Sequence, residues 1–303
     1  MKFICVQPAI NYYTWQVEVM INNFIKNGIN PNDIEIVSSY HGNISDKWKS
    51  LANRYNTVRF FFYTDTRIKS SYISSIRPHL LHKHWLKFPE LEKETIFYHD
   101  CDIILSKPVN FTNLLNDDVC YVSDTVSYIG AKYIRSKGEH LLDIMTDVVG
   151  INKQLVIDNE KDSGGAQYLL KNISAEFWNK VYWDAENMYK PIVKLQNGDH
   201  SNPFQIWCAD MWSVLWNLWL IDKEVKVTDL MSFSWATSGM HDWDKHPIYH
   251  NAGATGENKE IFYKAMYQIQ PPYNIKLEDF SDKFCSFNYV KEILETKEVS
   301  CLK

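Results

Sequence analysis

The chain has 303 residues, of which 45% are hydrophobic and 23% are charged, which is the composition of a globular protein able to bury a large core. Its formal net charge of −5 disfavours a surface built for nucleic acid. The first eight residues read as a strand and not as a secretory signal, and no apolar run approaches the ~20 residues of a membrane span. We therefore expect a cytoplasmic protein without a membrane span.

Strand-like and helix-like segments alternate through the first 125 residues. Short runs rich in apolar, β-branched or aromatic residues predict strands at 2–6, 33–38, 57–63 and 95–99. Helical spacing of apolar residues, or a proline suited to a first helical turn, predicts helices at 14–26, at 45–55 and from Pro78 onward. Repeated βα units predict an α/β fold with a mostly parallel central sheet flanked by helices, which binds ligands beyond the carboxyl ends of its strands.

The second half of the chain is less regular. The predicted elements are a strand, a helix, a polar loop whose glycine pair precedes a helical run, and a buried apolar helix, at 119–123, 139–149, 158–165 and 206–220. A further helix is predicted around 289–295. Because no repeat or linker divides the sequence, we predict one domain over 1–272 and a C-terminal extension, 273–303, that packs on it.

Two aspartates one residue apart, Asp100 and Asp102, follow the predicted strand at 95–99. Residues i and i+2 of an extended chain point to the same side, so both carboxylates would lie together at the strand end. Oxygen ligands of this kind suit Mg²⁺ or Mn²⁺, which commonly complete their coordination with substrate phosphates. A solvated turn is the alternative, because aspartate is a common turn former.

Three other positions in the sequence carry residues that could bind a ligand or take part in a reaction. Asp210 interrupts an apolar helix, where a carboxylate is costly unless it is paired or functional. Gly164 and Gly165 could admit a ligand close to the backbone and offer N–H groups to an anion, and a plain loop-to-helix junction is the alternative. His250 follows a short apolar stretch, and taken alone it reads as a hydrogen-bonded core histidine.

Taken in chain order, these features resemble metal-dependent nucleotide-sugar glycosyltransferases of the GT-A fold. The features that carry the resemblance are the βα repeats, Asp100-x-Asp102, Gly164-Gly165-Ala166-Gln167 and His250-x-x-Gly253. More narrowly, Tyr13-Thr14-Trp15-Gln16 before a helix and Arg77-Pro78 upstream of the acidic pair resemble the hydroxyproline O-arabinosyltransferase and peptidyl-serine α-galactosyltransferase group. The resemblance covers most of residues 1–255. Since those secretory-pathway enzymes carry a signal anchor that this sequence lacks, we expect a viral or bacterial relative.

The resemblance implies transfer of a hexosyl or pentosyl group from a UDP-sugar to a hydroxyl of a glycan, a protein or a modified base. Nucleic acid is disfavoured as the acceptor by the net charge. The resemblance implies Mn²⁺ or Mg²⁺ as the cofactor, and retention of the sugar's configuration in most relatives. It implies Asp102 and His250 as metal ligands, with Asp100 sharing the metal or facing the ribose.

The resemblance also implies a set of residues around the donor. Gln7 and Pro8 would border the uracil, Arg77 would donate to the diphosphate or sugar, and the transferred sugar would be bordered by Gly164, Gly165 and Gln167. Arg77 has a surface salt bridge as its alternative role. Retention requires a carboxylate near the sugar or a front-face departure of the phosphate, and we predict Asp210 for the carboxylate, with Asp162 behind it.

Two other classes of protein remain open from the sequence. A phosphatase of the haloacid-dehalogenase kind also has an Asp-x-Asp pair after an apolar strand, although that motif normally opens the domain, whereas Asp100 follows three βα units. The second class is a non-catalytic protein that binds a sugar or a partner on the same scaffold.

Overall fold

The structure, a computed structural model, describes residues 1–196 and 203–302, with side chains described up to residue 299. In those ranges the strands are β1 Lys2–Pro8, β2 Ile34–Tyr40, β3 Arg59–Thr64, β4 Ile96–His99, β5 Ile103–Leu105, β6 Cys120–Asp124, β7 Gly164–Leu170, β8 Val225–Val227, β9 Phe233–Trp235 and β10 Ile248–His250. The helices are α1 Asn11–Lys26, α2 Asp46–Arg54, α3 Ile76–Lys87, α4 Val126–Ile129, α5 Ala131–Lys137, α6 Glu139–Val149, α7 Lys153–Asp158, α8 Ala175–Gln196, α9 Ala209–Leu220, α10 Met240–Lys245 and α11 Ser286–Leu302.

The chain divides into two compact units. The βα unit consists of Lys2–Thr64, His99–Phe111 and Asp229–Lys303. The α-rich unit consists of Met1, Asp65–Tyr98 and Thr112–Thr228. The predicted boundary between residues 272 and 273 stays a prediction.

The βα unit is built on parallel strands in the order β3, β2, β1, which α1 and α2 connect, since parallel neighbours need a crossover between them. α1 presents a buried face and contacts β5, α2 and α11. A second small sheet has the order β5, β10, β9, with β10 antiparallel to β5 and parallel to β9. This pairing sets His250, the last residue of β10, opposite Ile103, the first residue of β5.

The α-rich unit carries the strands β4, β7, β6 and β8 in that order. β7 runs antiparallel to β4 and β6, whereas β6 and β8 are parallel. Helix α8 packs on α3 and on α9 around buried tryptophans, among them Trp85 and Trp178, whose ring centres lie 5.6 Å apart. The indole nitrogen of Trp85 donates to the Ile173 carbonyl at 2.8 Å, so this large apolar side chain is buried without an unmet donor.

The prediction of an α/β fold with a mostly parallel sheet and flanking helices is confirmed. The predicted helix at 139–149 has the bounds of α6, and the predicted strands and helices of the first 125 residues are present with ends shifted by a few residues. The predicted tail helix is α11, which is longer than expected. No helix within residues 1–196 and 203–302 has the length and apolar character to cross a membrane.

The expectation of a helical run after Gly164 and Gly165 is wrong, because these glycines begin strand β7. A Cβ on Gly164 would lie 2.2 Å from a Val122 side-chain carbon and 2.5 Å from the Ser123 carbonyl oxygen. A side chain there would push β7 away from β6, so glycine is required for the strands to pair. Gly164 thus allows the close approach of β7 to β6, and the predicted approach of a ligand to the glycine pair stays a prediction.

Candidate metal centre

Asp100, Asp102 and His250 lie together in the βα unit. β4 ends at His99, so the two aspartates stand in the turn before β5, and the β5–β10 pairing brings His250 beside them. One ligand atom from each of the three residues lies within 4.8 Å of the others. His250 Nε2 is 3.6 Å from Asp100 Oδ2 and 3.5 Å from Asp102 Oδ1. The local i, i+2 spacing and a distant strand thus contribute to one cluster.

The neighbours of the cluster fix its side chains. The backbone N–H of Asn251 donates to the Asp102 carbonyl at 3.0 Å. The ring of Trp235 stacks on that of His250, with centres 5.8 Å apart and planes at 16°. The Asp102 side chain is 7% exposed and that of His250 is 9% exposed, whereas that of Asp100 is 26% exposed. The cluster is therefore oriented by packing and opens to solvent on the side of Asp100.

Lys264 also contacts the cluster, through an ion pair between its Nζ and Asp102 Oδ2. Burial raises the pKa of Asp102, but the charge of Lys264 and then His250 outweigh it and hold that pKa well below its usual range. Burial alone would lower the pKa of Lys264, but the Asp102 carboxylate raises it overall. No sequence pattern indicates Lys264, which is 162 residues from Asp102.

The residues present fit a divalent cation. Two carboxylates and one imidazole form a donor set suited to Mn²⁺ or Mg²⁺, and Lys264 offsets only part of the carboxylate charge. His99 does not join them, because it is buried with its ring 5.1 Å from that of Phe24. Burial lowers the pKa of His99 to about 4.

Gln7 and Pro8 end strand β1 in the same unit. The Gln7 side chain is buried, and its Nε2 donates to the hydroxyl of Ser38 at 2.9 Å. No donor among the residues that the structure describes reaches the buried Oε1 of Gln7. Tyr12, in the first turn of α1, has a pKa raised by burial and then by the Asp102 charge, so its hydroxyl stays protonated.

Arg77 and Asp210, which were selected separately from the sequence, form an ion pair in the α-rich unit. Arg77 Nη2 lies 2.5 Å from Asp210 Oδ2. The Tyr72 hydroxyl lies 2.6 Å from Asp210 Oδ1 and 2.5 Å from the Trp207 carbonyl oxygen. Burial, and then Asp210, raise the pKa of Tyr72 well above its ordinary value, so Tyr72 is a donor. Arg77 therefore forms a salt bridge with a buried carboxylate, and not the surface salt bridge that was its alternative role.

The remaining predicted site residues lie in the α-rich unit with structural partners. Gln167 is fully buried and its Oε1 accepts from Ser123 at 2.6 Å. Gly164 and Gly165 are buried in β7, and a Cβ on Gly165 would lie 2.7 Å from the Tyr168 hydroxyl oxygen. Asp162 ends a 3₁₀ turn and accepts from the Val227 N–H at 3.4 Å. Contact of these residues with a ligand stays a prediction.

Comparisons with known proteins assign the fold. No protein-family profile matches the chain, and no curated protein sequence matches it. The bifunctional glycosyltransferase WbbM, 10% identical, is similar over 96% of this chain and 51% of its own, with a TM-score of 0.50. The chain thus spans about half the length of WbbM. This likeness confirms the fold of GT-A glycosyltransferases.

Two other solved structures are more distantly similar. The galactosyltransferase LgtC, in complex with donor and acceptor sugar analogues, is 11% identical, with 84% of this chain and 87% of LgtC covered and a TM-score of 0.40. A glycosyltransferase involved in glycosylation of the major capsid of PBCV-1 is 10% identical, with 88% of this chain and 97% of that chain covered and a TM-score of 0.42.

Proposed function

We propose that this chain is a metal-dependent glycosyltransferase that moves a hexosyl or pentosyl group from a UDP-sugar to a hydroxyl acceptor. The observation that carries the proposal is the cluster of Asp100, Asp102 and His250, which is oriented, partly open and only partly neutralised. The GT-A fold supports it, since ligands of open α/β sheets bind beyond the carboxyl ends of the strands and β4 ends directly before Asp100.

In this proposal Asp102 and His250 bind the cation, and Asp100, the most exposed of the three, shares it or accepts from the ribose. The bound cation supplies Lewis-acid charge that offsets the negative charge of the departing diphosphate. The ring of Trp235 stacks on that of His250 and holds it in orientation, and the Asn251 N–H fixes the backbone at Asp102.

The donor nucleotide is proposed to reach the end of β1. The buried Gln7 Oε1 is an acceptor that suits an N–H such as that of a uracil ring, because a buried oxygen without a donor costs free energy. Pro8 would border the same base, and the transferred sugar is proposed to contact Gly164, Gly165, Gln167 and Arg77. These assignments rest on the family resemblance and not on a contact in the structure.

We propose a retaining reaction, with Asp210 as the carboxylate near the sugar and Asp162 behind it. Asp210 is buried, and Tyr72 and Arg77 hold its carboxylate in one orientation, which supports this role. We propose a hydroxyl of a glycan or a protein as the acceptor. A hydroxyl of a modified base ranks below these, because the net charge of −5 disfavours nucleic acid. More narrowly, we propose a relationship to the hydroxyproline O-arabinosyltransferase and peptidyl-serine α-galactosyltransferase group.

The test is thermal unfolding with UDP, with Mn²⁺, and with both, followed by a screen of UDP-sugars for metal-dependent hydrolysis. Stabilisation by UDP that requires Mn²⁺ supports the proposal, because a ligand that binds only the native state raises its stability. Stabilisation by UDP that is the same with and without Mn²⁺ would favour a non-catalytic binding protein. Release of phosphate from simple phosphate esters would favour a phosphatase.

A further inference from the structure

The two carboxylate oxygens of Asp102 have different partners, and one of them is an ammonium group. Oδ1 lies 3.5 Å from His250 Nε2, while Oδ2 is paired with Lys264. A divalent cation held by Asp100, Asp102 and His250 would stand within a few ångströms of that ammonium. Like charges at such distances repel strongly where burial limits solvent screening, and the Asp102 side chain is only 7% exposed.

Lys264 is held at this position by its neighbours in the chain. It begins the 3₁₀ turn Lys264–Tyr267. Phe262 is fully buried and stacks on Tyr267, with ring centres 5.2 Å apart and planes at 7°. The indole nitrogen of Trp15, on α1, donates to the Tyr267 carbonyl at 3.2 Å. Anchors on both sides of Lys264 therefore aim its side chain at Asp102, unlike an exposed lysine that samples many rotamers.

We propose that Lys264 is an internal counter-ion that the divalent cation must displace from Asp102, so that cation entry is an exchange of one positive group for another. This inference rests on the proposed function. The Lys264 side chain as a whole is 27% exposed, so it is not enclosed on every side. The diphosphate of bound UDP gives the displaced ammonium a new anionic partner, so UDP promotes the exchange.

Two consequences follow for binding. The protein without nucleotide binds Mn²⁺ weakly, because the cation competes with a group that is tethered at its ligand. UDP raises the affinity for Mn²⁺, and Mn²⁺ raises the affinity for UDP by the same factor, since coupling between two ligands is reciprocal. Direct coordination of the phosphates to the cation contributes to this coupling in any case, and Lys264 adds a further share.

The experiment measures Mn²⁺ binding to the full chain by electron paramagnetic resonance of free Mn²⁺, with and without UDP. Lys264→Met removes the ammonium, Lys264→Gln keeps a neutral donor for Asp102, and Lys264→Arg keeps the charge. Lys259→Met removes a positive charge from an exposed position in the same segment and is the matched control.

We expect Lys264→Met and Lys264→Gln to raise the affinity for Mn²⁺ without UDP roughly tenfold or more, and to reduce the enhancement by UDP by a similar factor. Lys264→Arg and Lys259→Met should bind Mn²⁺ as the unaltered chain does. Without metal, Lys264→Met should unfold at a lower temperature and regain more stability from Mn²⁺, because it removes the cationic partner of the buried Asp102 Oδ2. Lys264→Gln gives the same comparison if the methionine variant does not fold.

Equal affinity for Mn²⁺ in the unaltered chain and in Lys264→Gln would overturn the inference and leave the proposed function standing. An increase that Lys259→Met shares would also overturn it, because it would show a general effect of charge. If no form binds Mn²⁺ even with UDP present, the proposed function fails, and the inference fails with it.

Discussion

Two sets of carboxylates, Asp100 with Asp102 in the βα unit and Asp210 in the α-rich unit, differ in how their charge is balanced. In the βα unit Asp100 and Asp102 share one lysine and one imidazole. In the α-rich unit Asp210 alone has an arginine at 2.5 Å and a phenol hydroxyl at 2.6 Å. The first group keeps an excess of negative charge, whereas the charge of Asp210 is matched by that of Arg77.

This difference separates the roles that the two groups can have. A matched buried ion pair is complete without a ligand, and removing one member leaves the other uncompensated. A cluster of carboxylates with too little positive charge gains from a cation. We therefore propose that the metal binds in the βα unit, and we expect changes at Asp210 to affect turnover and stability more than metal binding.

The largest expected effect is on hydrolysis of the UDP-sugar, after a change in the Asp100–Asp102–His250 cluster. Asp102→Asn should lower Mn²⁺-dependent hydrolysis of the UDP-sugar roughly 10³-fold, since it removes a proposed ligand of the cation whose charge would offset that of the leaving diphosphate. Mn²⁺ binding should be lost with it. Asp282→Asn, at an exposed position of the same unit, is the control and should retain both. Full activity in Asp102→Asn would remove this cluster from the reaction.

The second largest expected effect is on turnover, after a change at Asp210, whose charge Arg77 matches. Asp210→Asn should lower transfer roughly 10²-fold while UDP and Mn²⁺ bind as before, because the change removes a carboxylate and no proposed metal ligand. Initial rates and calorimetric titration with UDP, on protein shown to be folded by circular dichroism, separate the two quantities. An unaltered turnover would exclude Asp210 from the mechanism, and loss of Mn²⁺ binding would contradict the division of roles.

A third prediction concerns what holds Tyr72 in place. Glu186 accepts from the hydroxyls of Ser70 and Ser75, both at 2.6 Å, and from the backbone N–H groups of Ser71 and Tyr72. Burial raises the pKa of Glu186, but these donors outweigh it and lower the pKa overall. Glu186→Gln replaces an acceptor with a donor and should cost about 2 kcal/mol of unfolding free energy.

Urea unfolding measures this loss, and Glu176→Gln is a suitable control because it lies at an exposed position near the start of the same helix. Equal stability of Glu186→Gln and the unaltered chain would show that the segment carrying Tyr72 is held in another way.

The smallest effect is a pH dependence within the α-rich unit. Burial, followed by the Lys83 charge, lowers the pKa of His79 from 6.5 to about 4. Between these values the unfolded chain binds more protons, so His79 contributes stability that is complete above pH 6.5 and is lost as the pH falls towards 4. Because His79 is only half-buried, solvent screening limits the contribution to about 1 kcal/mol.

His79→Gln should therefore flatten the fall in stability over this pH range. His241→Gln, which changes a histidine side chain that is 82% exposed, is the control for composition. Unfolding by urea at several pH values gives both curves, and identical curves for His79→Gln and the unaltered chain would contradict the prediction.

The sequence predicted what depends on local spacing. Asp100 and Asp102 were placed together because their separation is short and the apolar run before them is a strand. His250 was nominated as a ligand only through the family resemblance, since the pairing of β10 with β5 joins distant segments. Lys264 carries no local signal, because a lysine in a loop reads as solvent-exposed whatever its partner is.

The α-rich unit shows the same limit. Arg77 and Asp210 were each selected, but their ion pair depends on the packing of α3, α8 and α9. Gly164 and Gly165 were read as a ligand-binding loop before a helix, whereas the requirement at Gly164 is the close approach of β6. A glycine signals that space is short without showing what occupies it.

The most direct test of the account is a crystal of the full chain grown with UDP and Mn²⁺, with data collected at the manganese absorption edge. The account predicts an anomalous peak for an ion that Asp102 and His250 bind, with diphosphate oxygens on its other side. Asp100 either binds the same ion or contacts the ribose. UDP bound with no peak among these residues, and Lys264 still paired with Asp102, would contradict it.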